Sequence, residues 1–256
     1  MTQKGISVIV PVYNEEKTIK KVLDELVNIK EVNEIIVIDD NSIDKTIEII
    51  KRLKSSKIIL IQNNSNLGKG ATIRQAFPHL LSKFSVIQDA DLELNTKYIV
   101  KYLNMAIEKD LEVVFGSRFK SFRVEGYPIS LSFANKVYTG LINLLTGSTY
   151  SDVNCGHKFF KTDVLINLDF KENHFGADPE MAYIVAHNKY SFRHHNIDFK
   201  ARNKSEGKKI TWLDGIKFFK IIYRVHKRLR WSKILSTYKV LTLVSRLFTF
   251  LNVVNK

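Results

Sequence analysis

The run Ile6-Ser7-Val8-Ile9-Val10-Pro11-Val12, followed by Tyr13-Asn14-Glu15, decides the fold class. It is almost continuously apolar, rich in β-branched residues and ended by Pro11 and Asn14. That is how a strand covered on both faces reads. The period then changes. Over Glu15–Ile29, Ile19, Val22, Leu23, Leu26 and Ile29 share one face, which predicts a helix. The alternation repeats: strands over Glu34–Ile38, Lys57–Ile61, Phe84–Ile87 and Leu111–Phe115, helices over Asp44–Leu53, Gly70–Leu81 and Lys97–Ile107. This rhythm predicts an α/β fold with a mostly parallel central sheet and helices on both faces. Ligands of such sheets sit outside the carboxyl ends of the strands.

Polar residues gather at those ends. Tyr13-Asn14-Glu15 follows the first strand, Asp39-Asp40-Asn41-Ser42 the second, Asn63–Gly70 the third and Asp89–Glu93 the fourth. The last of these, Gln88-Asp89-Ala90-Asp91-Leu92-Glu93, packs three carboxylates into five residues. Such a loop can hold a hard divalent cation, whose usual task is to neutralise phosphate. It also reads as an acidic turn before the helix that begins near Asn95. Asn66-Leu67-Gly68-Lys69-Gly70 lacks the spacing of a P-loop; Lys69 could touch phosphate, or the glycines could simply turn the chain into the next helix. Arg118, in Gly116-Ser117-Arg118, offers a planar cationic fork to a phosphate or to a surface carboxylate.

Beyond residue 130 the pattern is less regular. Helices are expected over Ser130–Leu145 and Ala177–His187, strands over His157–Phe160 and Ser191–Phe199, and a polar loop over Arg202–Lys209. That loop is either a lid or a solvated charge run. The chain has 256 residues and shows neither an internal repeat nor a low-complexity linker. One catalytic domain, residues 1–225, is expected, followed by a basic tail, residues 226–256. The single cysteine, Cys155, excludes an internal disulfide and predicts a reducing compartment and a packed thiol. Ile6–Val12 is too short for a signal peptide and precedes the acidic pair Glu15-Glu16.

Charge is concentrated at one end. Of the net +14, residues 200–256 supply +13, with 15 Lys or Arg against Glu206 and Asp214. An anionic partner surface is implied. In that segment Trp212, Ile216, Phe219, Ile222, Val225 and Leu229 fall at helical spacing, with Lys217, Lys220, Arg224, Lys227 and Arg228 beside them. Leu241, Val244, Phe248 and Leu251 share a second face, and Lys239 and Arg246 interrupt the apolar runs. No stretch approaches the roughly 20 apolar residues of a membrane span. Amphipathic helices lying in the headgroup region of an anionic membrane are expected, and packing of the stripe on the body is the alternative.

Several of these segments together resemble a known family. Val8-Ile9-Val10-Pro11-Val12-Tyr13-Asn14-Glu15-Glu16, Val37-Ile38-Asp39-Asp40-Asn41-Ser42, Asn66-Leu67-Gly68-Lys69-Gly70, Asp89-Ala90-Asp91 and Gly116-Ser117-Arg118 occur in the order and spacing of family 2 glycosyltransferases. Phe175-Gly176-Ala177-Asp178-Pro179-Glu180-Met181 and Ser205-Glu206-Gly207-Lys208-Lys209-Ile210 are similar to the dolichyl- or polyprenyl-phosphate sugar synthases within it.

The resemblance implies a GT-A fold, a nucleotide-sugar donor (GDP-mannose or UDP-glucose class), a polyprenyl-phosphate acceptor and an inverting, metal-dependent transfer. It places Pro11, Tyr13, Glu15, Val37, Asp39, Asp40 and Lys69 in donor binding, with Asp39 at the base. Asp89 and Ala90 lie on the nucleoside side. Asp91 and Glu93 hold Mg²⁺ or Mn²⁺, Glu93 standing where the subgroup often has Gln. Arg118, Arg202 and Lys208 bind diphosphate or acceptor phosphate. Asp178 and Glu180 occupy the segment where relatives with hydroxyl acceptors keep a base; here the resemblance leaves them to act as base, to orient the acceptor or to support Arg202. The implied setting is the cytoplasmic face of a membrane, with a separate membrane-anchoring partner left open.

Two other readings compete: a sugar or other hydroxyl acceptor, and a non-catalytic membrane- or nucleic-acid-binding protein. Against nucleic acid, the aromatics of the basic segment follow a helical packing period, and no zinc-knuckle or RNP-like motif is present. Processive polysaccharide synthesis is discounted, since Lys227 stands where the Gln of Q-x-x-R-W would precede Arg230-Trp231.

Overall fold

The structure is a computed structural model that describes residues 3–119, 129–199 and 218–230. Its centre is a seven-stranded sheet in the order β3-β2-β1-β4-β6-β5-β7. The strands are β1 (Gln3–Val12), β2 (Val32–Asp39), β3 (Ile58–Gln62), β4 (Ser82–Ile87), β5 (Val113–Ser117), β6 (Lys158–Lys161) and β7 (Phe192–Asn196). All neighbours run parallel except β6, which is antiparallel to both β4 and β5.

The period-2 geometry of a strand splits the apolar residues between two cores. Val8, Val10, Val37, Val86, Val114 and Phe159 face one way, Ile9, Ile36, Ile38, Ile87, Val113 and Phe160 the other. On the first face pack α1 (Ile19–Val27), α2 (Thr46–Arg52) and α4 (Tyr98–Glu108). On the second pack α3 (Lys69–Gln75), α5 (Ile129–Thr146), α6 (Thr162–Ile166), α7 (Ala177–His187) and α8 (residues 218–230). The expected two-faced sheet is present.

The differences from expectation are local. The helix expected over Gly70–Leu81 stops at Gln75 and continues as a 3-10 turn, Phe77–His79. Pro78 accounts for this, because it lacks an N–H and restricts the residue before it. The helix expected from Glu15 begins only at Ile19. In the intervening loop the backbone N–H of Glu15 donates to Thr46 Oγ1 (2.8 Å) and that of Asn14 to Ser42 Oγ (2.9 Å), which latches the loops after β1 and β2 together.

α8 corrects the reading of the tail. Phe218, Ile221, Ile222 and Val225 are buried in the second core, and Leu229 packs against it. For this part of the stripe, packing on the body is what occurs, because it completes the cover of α7. The helix also runs through residue 225, where a domain boundary was expected. The expected features at residues 200–217 and 231–256, including Arg202, Lys208, Trp212 and the stripe from Leu241, lie outside the described residues. No helix among the described residues is long and apolar enough to cross a membrane.

Strand order fixes where a ligand can bind. The chain winds outward from β1 to β3, then crosses back to place β4 on the other side of β1. The loops leaving β1 and β4 therefore diverge, and a crevice opens at that switch point.

Candidate active site

The crevice is a cleft of about 310 Å³. Pro11, Tyr13 and Glu15 line it from the end of β1, Asp40 from β2, Asn66, Gly68, Lys69 and Thr72 from the start of α3, and Asp89, Ala90, Asp91 and Glu93 from the end of β4. Arg118 enters after β5, and His174 and Phe175 from the loop before α7. Residues from separate polar loops thus meet, as the strand-end pattern required.

The D-x-D-x-E turn has a definite shape. Leu92 takes a left-handed conformation (φ 62°), and Asp91 Oδ1 accepts the backbone N–H of Glu93 at 3.1 Å. Asp91 and Glu93 are both half-buried and both reach the cleft. Asp89 makes an ion pair. Its Oδ1 lies 2.8 Å from Lys69 Nζ, whose ammonium also contacts Asp178 Oδ2 at 3.2 Å. The other oxygen of Asp178, Oδ1, is 2.6 Å from Nζ of the fully buried Lys158. Burial opposes charge on Lys69 and Asp178, yet the attraction of their partners prevails. Asp178 is held below the usual carboxylate range by Lys158 and Lys69, and Lys69 well above the usual lysine range by Asp178 and Asp89.

Close backbone approach makes this network possible. A Cβ on Gly156 would stand 2.1 Å from Asp89 Oδ2 and 2.9 Å from Lys69 Nζ. Gly68 has φ +90°, and a Cβ there would meet His174 Nδ1 at 2.2 Å. These contacts show that the glycines beside Lys69 seat the start of α3 against the loop before α7.

Arg118 is fixed by Asp152, its Nε and Nη2 meeting the two carboxylate oxygens at 2.8 and 3.0 Å. Asp152 is fully buried and also accepts from Asn135 Nδ2 of α5 at 2.9 Å. Burial would raise its pKa, but Arg118 beside it keeps it below the ordinary value. Cys155 is buried, and burial pushes its thiol up to about 12, so it is a packed, unreactive thiol.

The other expected site residues lie elsewhere or do other work. Val37 is fully buried in the first core and does not reach the cleft, because its strand position points it under α1. Asp39 is buried and does not line the cleft, though its neighbour Asp40 does; its Oδ2 accepts the N–H of Ser42 at 3.0 Å, and its buried Oδ1 has no hydrogen-bond partner among the described residues. Asp40 accepts from the backbone N–H groups of Leu67 and Gly68, both at 2.8 Å, and so shapes the loop that carries Lys69. Glu180 turns from the cleft: its Oε2 accepts the N–H groups of Lys171 (3.0 Å) and Glu172 (2.7 Å), and its Oε1 pairs with Arg228 of α8 at 2.8 Å.

Sequence reading passed over Asp152, Gly156, Lys158 and His174. Asp152 and Gly156 sit in an aperiodic stretch, and Lys158 interrupts a short apolar strand with no sequence mark of its partner 20 residues on.

Comparison with known proteins places this arrangement. The chain is 28% identical over 186 residues to glycosyltransferase AglD of Haloferax volcanii, covering 69% of this chain and 30% of that one. It is 29% identical over 203 residues to dolichyl-phosphate beta-glucosyltransferase ALG5A of Trichomonas vaginalis, covering 70% and 61%. The chain therefore spans less than two thirds of either relative. Over 246 residues it is 28% identical to the UDP-N-acetylglucosamine–dolichyl-phosphate N-acetylglucosaminyltransferase of Methanococcus voltae, covering 88% and 96%. Glucosyl-3-phosphoglycerate synthase from Mycobacterium tuberculosis, crystallised with Mn²⁺, UDP and phosphoglyceric acid, superposes with a TM-score of 0.67 at 18% identity over 87% of this chain and 78% of that one. The shared architecture is the GT-A type. Residues 7–169 match the family described as "Glycosyl transferase family 2", and with the cleft at the β1/β4 switch the conclusion is that this chain is a glycosyltransferase of that family.

Proposed function

We propose that the chain transfers a hexose from a nucleoside-diphosphate sugar to a polyprenyl or dolichyl phosphate, with inversion at the anomeric carbon. The observation that carries this reading is the gathering of Asp91, Glu93 and Arg118 in one cleft beside Pro11, Tyr13 and Glu15. Carboxylates for a cation and a fixed guanidinium are what a pyrophosphate leaving group needs.

The residues fit a divalent ion. Asp91 and Glu93 offer hard oxygen donors from one turn, and no cluster of three or more His, Cys, Asp or Glu is assembled among the described residues. Asp91 and Glu93 would hold Mg²⁺ or Mn²⁺, which proteins commonly bind through one or two carboxylates. Such an ion, when bound, neutralises charge growing on the departing diphosphate. The names of the T. vaginalis and M. voltae relatives and the UDP in the mycobacterial structure favour a uridine donor carrying glucose or N-acetylglucosamine over GDP-mannose. The unpartnered Oδ1 of Asp39 is suited to accept an N–H of the base.

Arg118, immobilised by Asp152, keeps a permanent positive charge at the site. Asp178 has both oxygens engaged by ammonium groups and stays ionised, so we assign it the positioning of Lys69 rather than proton abstraction. A phosphate acceptor is anionic near neutral pH and needs no base, so positioning and leaving-group stabilisation suffice. A water-borne donor and a lipid-borne acceptor place the reaction at a membrane surface on the cytoplasmic side.

The test is a thermal-shift panel of nucleotide sugars with and without Mn²⁺. A native-state ligand raises the melting temperature. UDP-glucose or UDP-N-acetylglucosamine with Mn²⁺ is expected to do so; if no activated hexose does, the proposal is wrong.

A further inference from the structure

α5 carries an apolar stripe on its outer surface. Ile129, Phe133, Val137 and Leu144 are exposed by 55, 61, 39 and 81%. The exposed Gly140 lies between the last two, so successive spacings of four, four, three and four residues keep all five on one face. The stripe is about 22 Å long at 1.5 Å per residue. It does not end at α5: the Tyr138 ring meets that of Phe219 edge-on at 4.8 Å, and Phe219 and Tyr223 of α8 are themselves exposed.

Charge says what covers this face. Neither α5 nor α8 contains an acidic residue. Lys220, Arg224 and Lys227 lie on the exposed side of α8 beside Phe219 and Tyr223. Aromatics and aliphatics bordered by cations fit the headgroup boundary of an anionic bilayer. A second copy fits badly, since an isologous contact would set those cations against themselves. A nucleic acid would find no use for Ile129, Val137 and Leu144.

The same two helices hold the cleft. Asn135, on the inner side of α5, braces Asp152 and through it Arg118. Arg224 and Arg228 of α8 pair with Glu172 and Glu180, which bound the loop that carries His174 and Phe175. We infer that the outer faces of α5 and α8 together form a seat for an anionic lipid surface, which brings the cleft to a lipid-borne acceptor. The seat deepens the proposed function, and its use for transfer rests on that reading.

The experiment is sedimentation of the full chain with phosphatidylglycerol-containing or pure phosphatidylcholine vesicles. The wild type should bind the anionic vesicles and do so less at high salt. Phe133→Ser/Leu144→Ser should weaken binding at least about tenfold, because both side chains supply insertion area. Lys220→Glu/Lys227→Glu should remove the preference for anionic over neutral vesicles. All three proteins should show the same melting temperature. Wild-type levels of vesicle binding in the Phe133/Leu144 variant would overturn the inference. So would a wild type that ignores vesicles, or one that dimerises in solution and turns monomeric when the stripe is altered. Donor-induced thermal shift, measured on the same proteins, separates the two proposals. If vesicle binding depends on the stripe while no nucleotide sugar binds, the seat stands and the transferase reading falls.

Discussion

Lys69 Nζ lies 2.8 Å from Asp89 Oδ1 and 3.2 Å from Asp178 Oδ2, so one ammonium joins the first carboxylate of the D-x-D turn to the start of α7. All three carboxylates of the turn line the cleft, and Asp89 is the one that Lys69 ties to Asp178.

Removing Lys69 should therefore cost both stability and activity. In Lys69→Met, Asp89 loses its ammonium and Asp178 keeps only Lys158. We expect a loss of about 1–3 kcal/mol in stability, as for a buried polar group left unsatisfied, because Asp89 is partly exposed and Asp178 keeps Lys158. kcat/KM should fall by an order of magnitude or more. Denaturant melts and steady-state kinetics check this, and unchanged values in both would show that the ion pair is incidental.

Asp91 and Glu93 should separate by degree. Asp91→Ala should abolish the Mn²⁺-dependent rise in melting temperature with nucleotide and leave the unliganded melting temperature near that of the parent. Glu93→Gln keeps an oxygen donor but loses a charge, so Mn²⁺ affinity should weaken only several-fold. Calorimetric titration of Mn²⁺ in the presence of UDP measures both. Full Mn²⁺ binding by Asp91→Ala would remove that residue from the metal site.

Glu180 and Arg228 should behave as a unit. In Glu180→Gln the amide nitrogen faces the Arg228 guanidinium, two donors in opposition, and we expect a loss of about 1–3 kcal/mol. Adding Arg228→Met removes the clash and should restore much of the stability and activity. A general base predicts the opposite, a fall in kcat of roughly 10²–10⁴ that no change at Arg228 can rescue. A double-mutant cycle in melting temperature and kcat decides the matter.

Gly156→Ala tests the packing beneath the turn. Its methyl would sit 2.1 Å from Asp89 Oδ2, which can swing away at small energetic cost but only by leaving Lys69. Activity should drop at least about tenfold while stability changes by less than about 1 kcal/mol. A variant as active as its parent would falsify the claim that Asp89 must stay where it is.

Acid should destabilise the fold early. His157 is fully buried, and burial, helped by the charges of Lys158 and Lys69, lowers its pKa from 6.5 to about 3. In the unfolded chain it protonates below 6.5; in the folded chain it stays neutral until about pH 3. The unfolded state binds more protons across that window, so stability is full above pH 6.5 and is lost as the pH falls toward 3. His194, lowered to about 4 by burial, adds to the effect. The loss from His157 is at most about 4–5 kcal/mol. Melting temperatures between pH 7.5 and 4 should fall, and more gently in His157→Phe; parallel curves for the two proteins would show that His157 does not drive the loss.

The α/β alternation was written in period and composition. Val8, Val10, Ile36 and Val86 are β-branched residues in runs too short for helices, and the helices between them show a 3.6-residue face. Parallel strands followed at once, and with them the end of the sheet where Tyr13, Asp40, Asp89 and Arg118 would meet. That inference holds because a local repeat dictates local structure, and the right-handed crossover leaves little choice of topology. Residue order could not show that β6 enters antiparallel between β4 and β5, since nothing local marks a strand's neighbour.

Contacts across large sequence separations were decided by the tertiary structure. Lys69 meets Asp178 across 109 residues, Arg118 meets Asp152 across 34, and Arg228 meets Glu180 across 48. Each carries charges whose partners are fixed only when the sheet closes. The same holds for α8: its amphipathic stripe was plain in the sequence, but whether Ile222 and Val225 faced a bilayer or a protein core depended on the apolar surface that α7 left uncovered. Which elements form and where their polar ends lie could be read from residue order alone, because those follow from neighbours along the chain. That Asp89 and Asp178 share Lys69, and that Glu180 meets Arg228, was decided by packing, because an ion pair is a matter of distance in space.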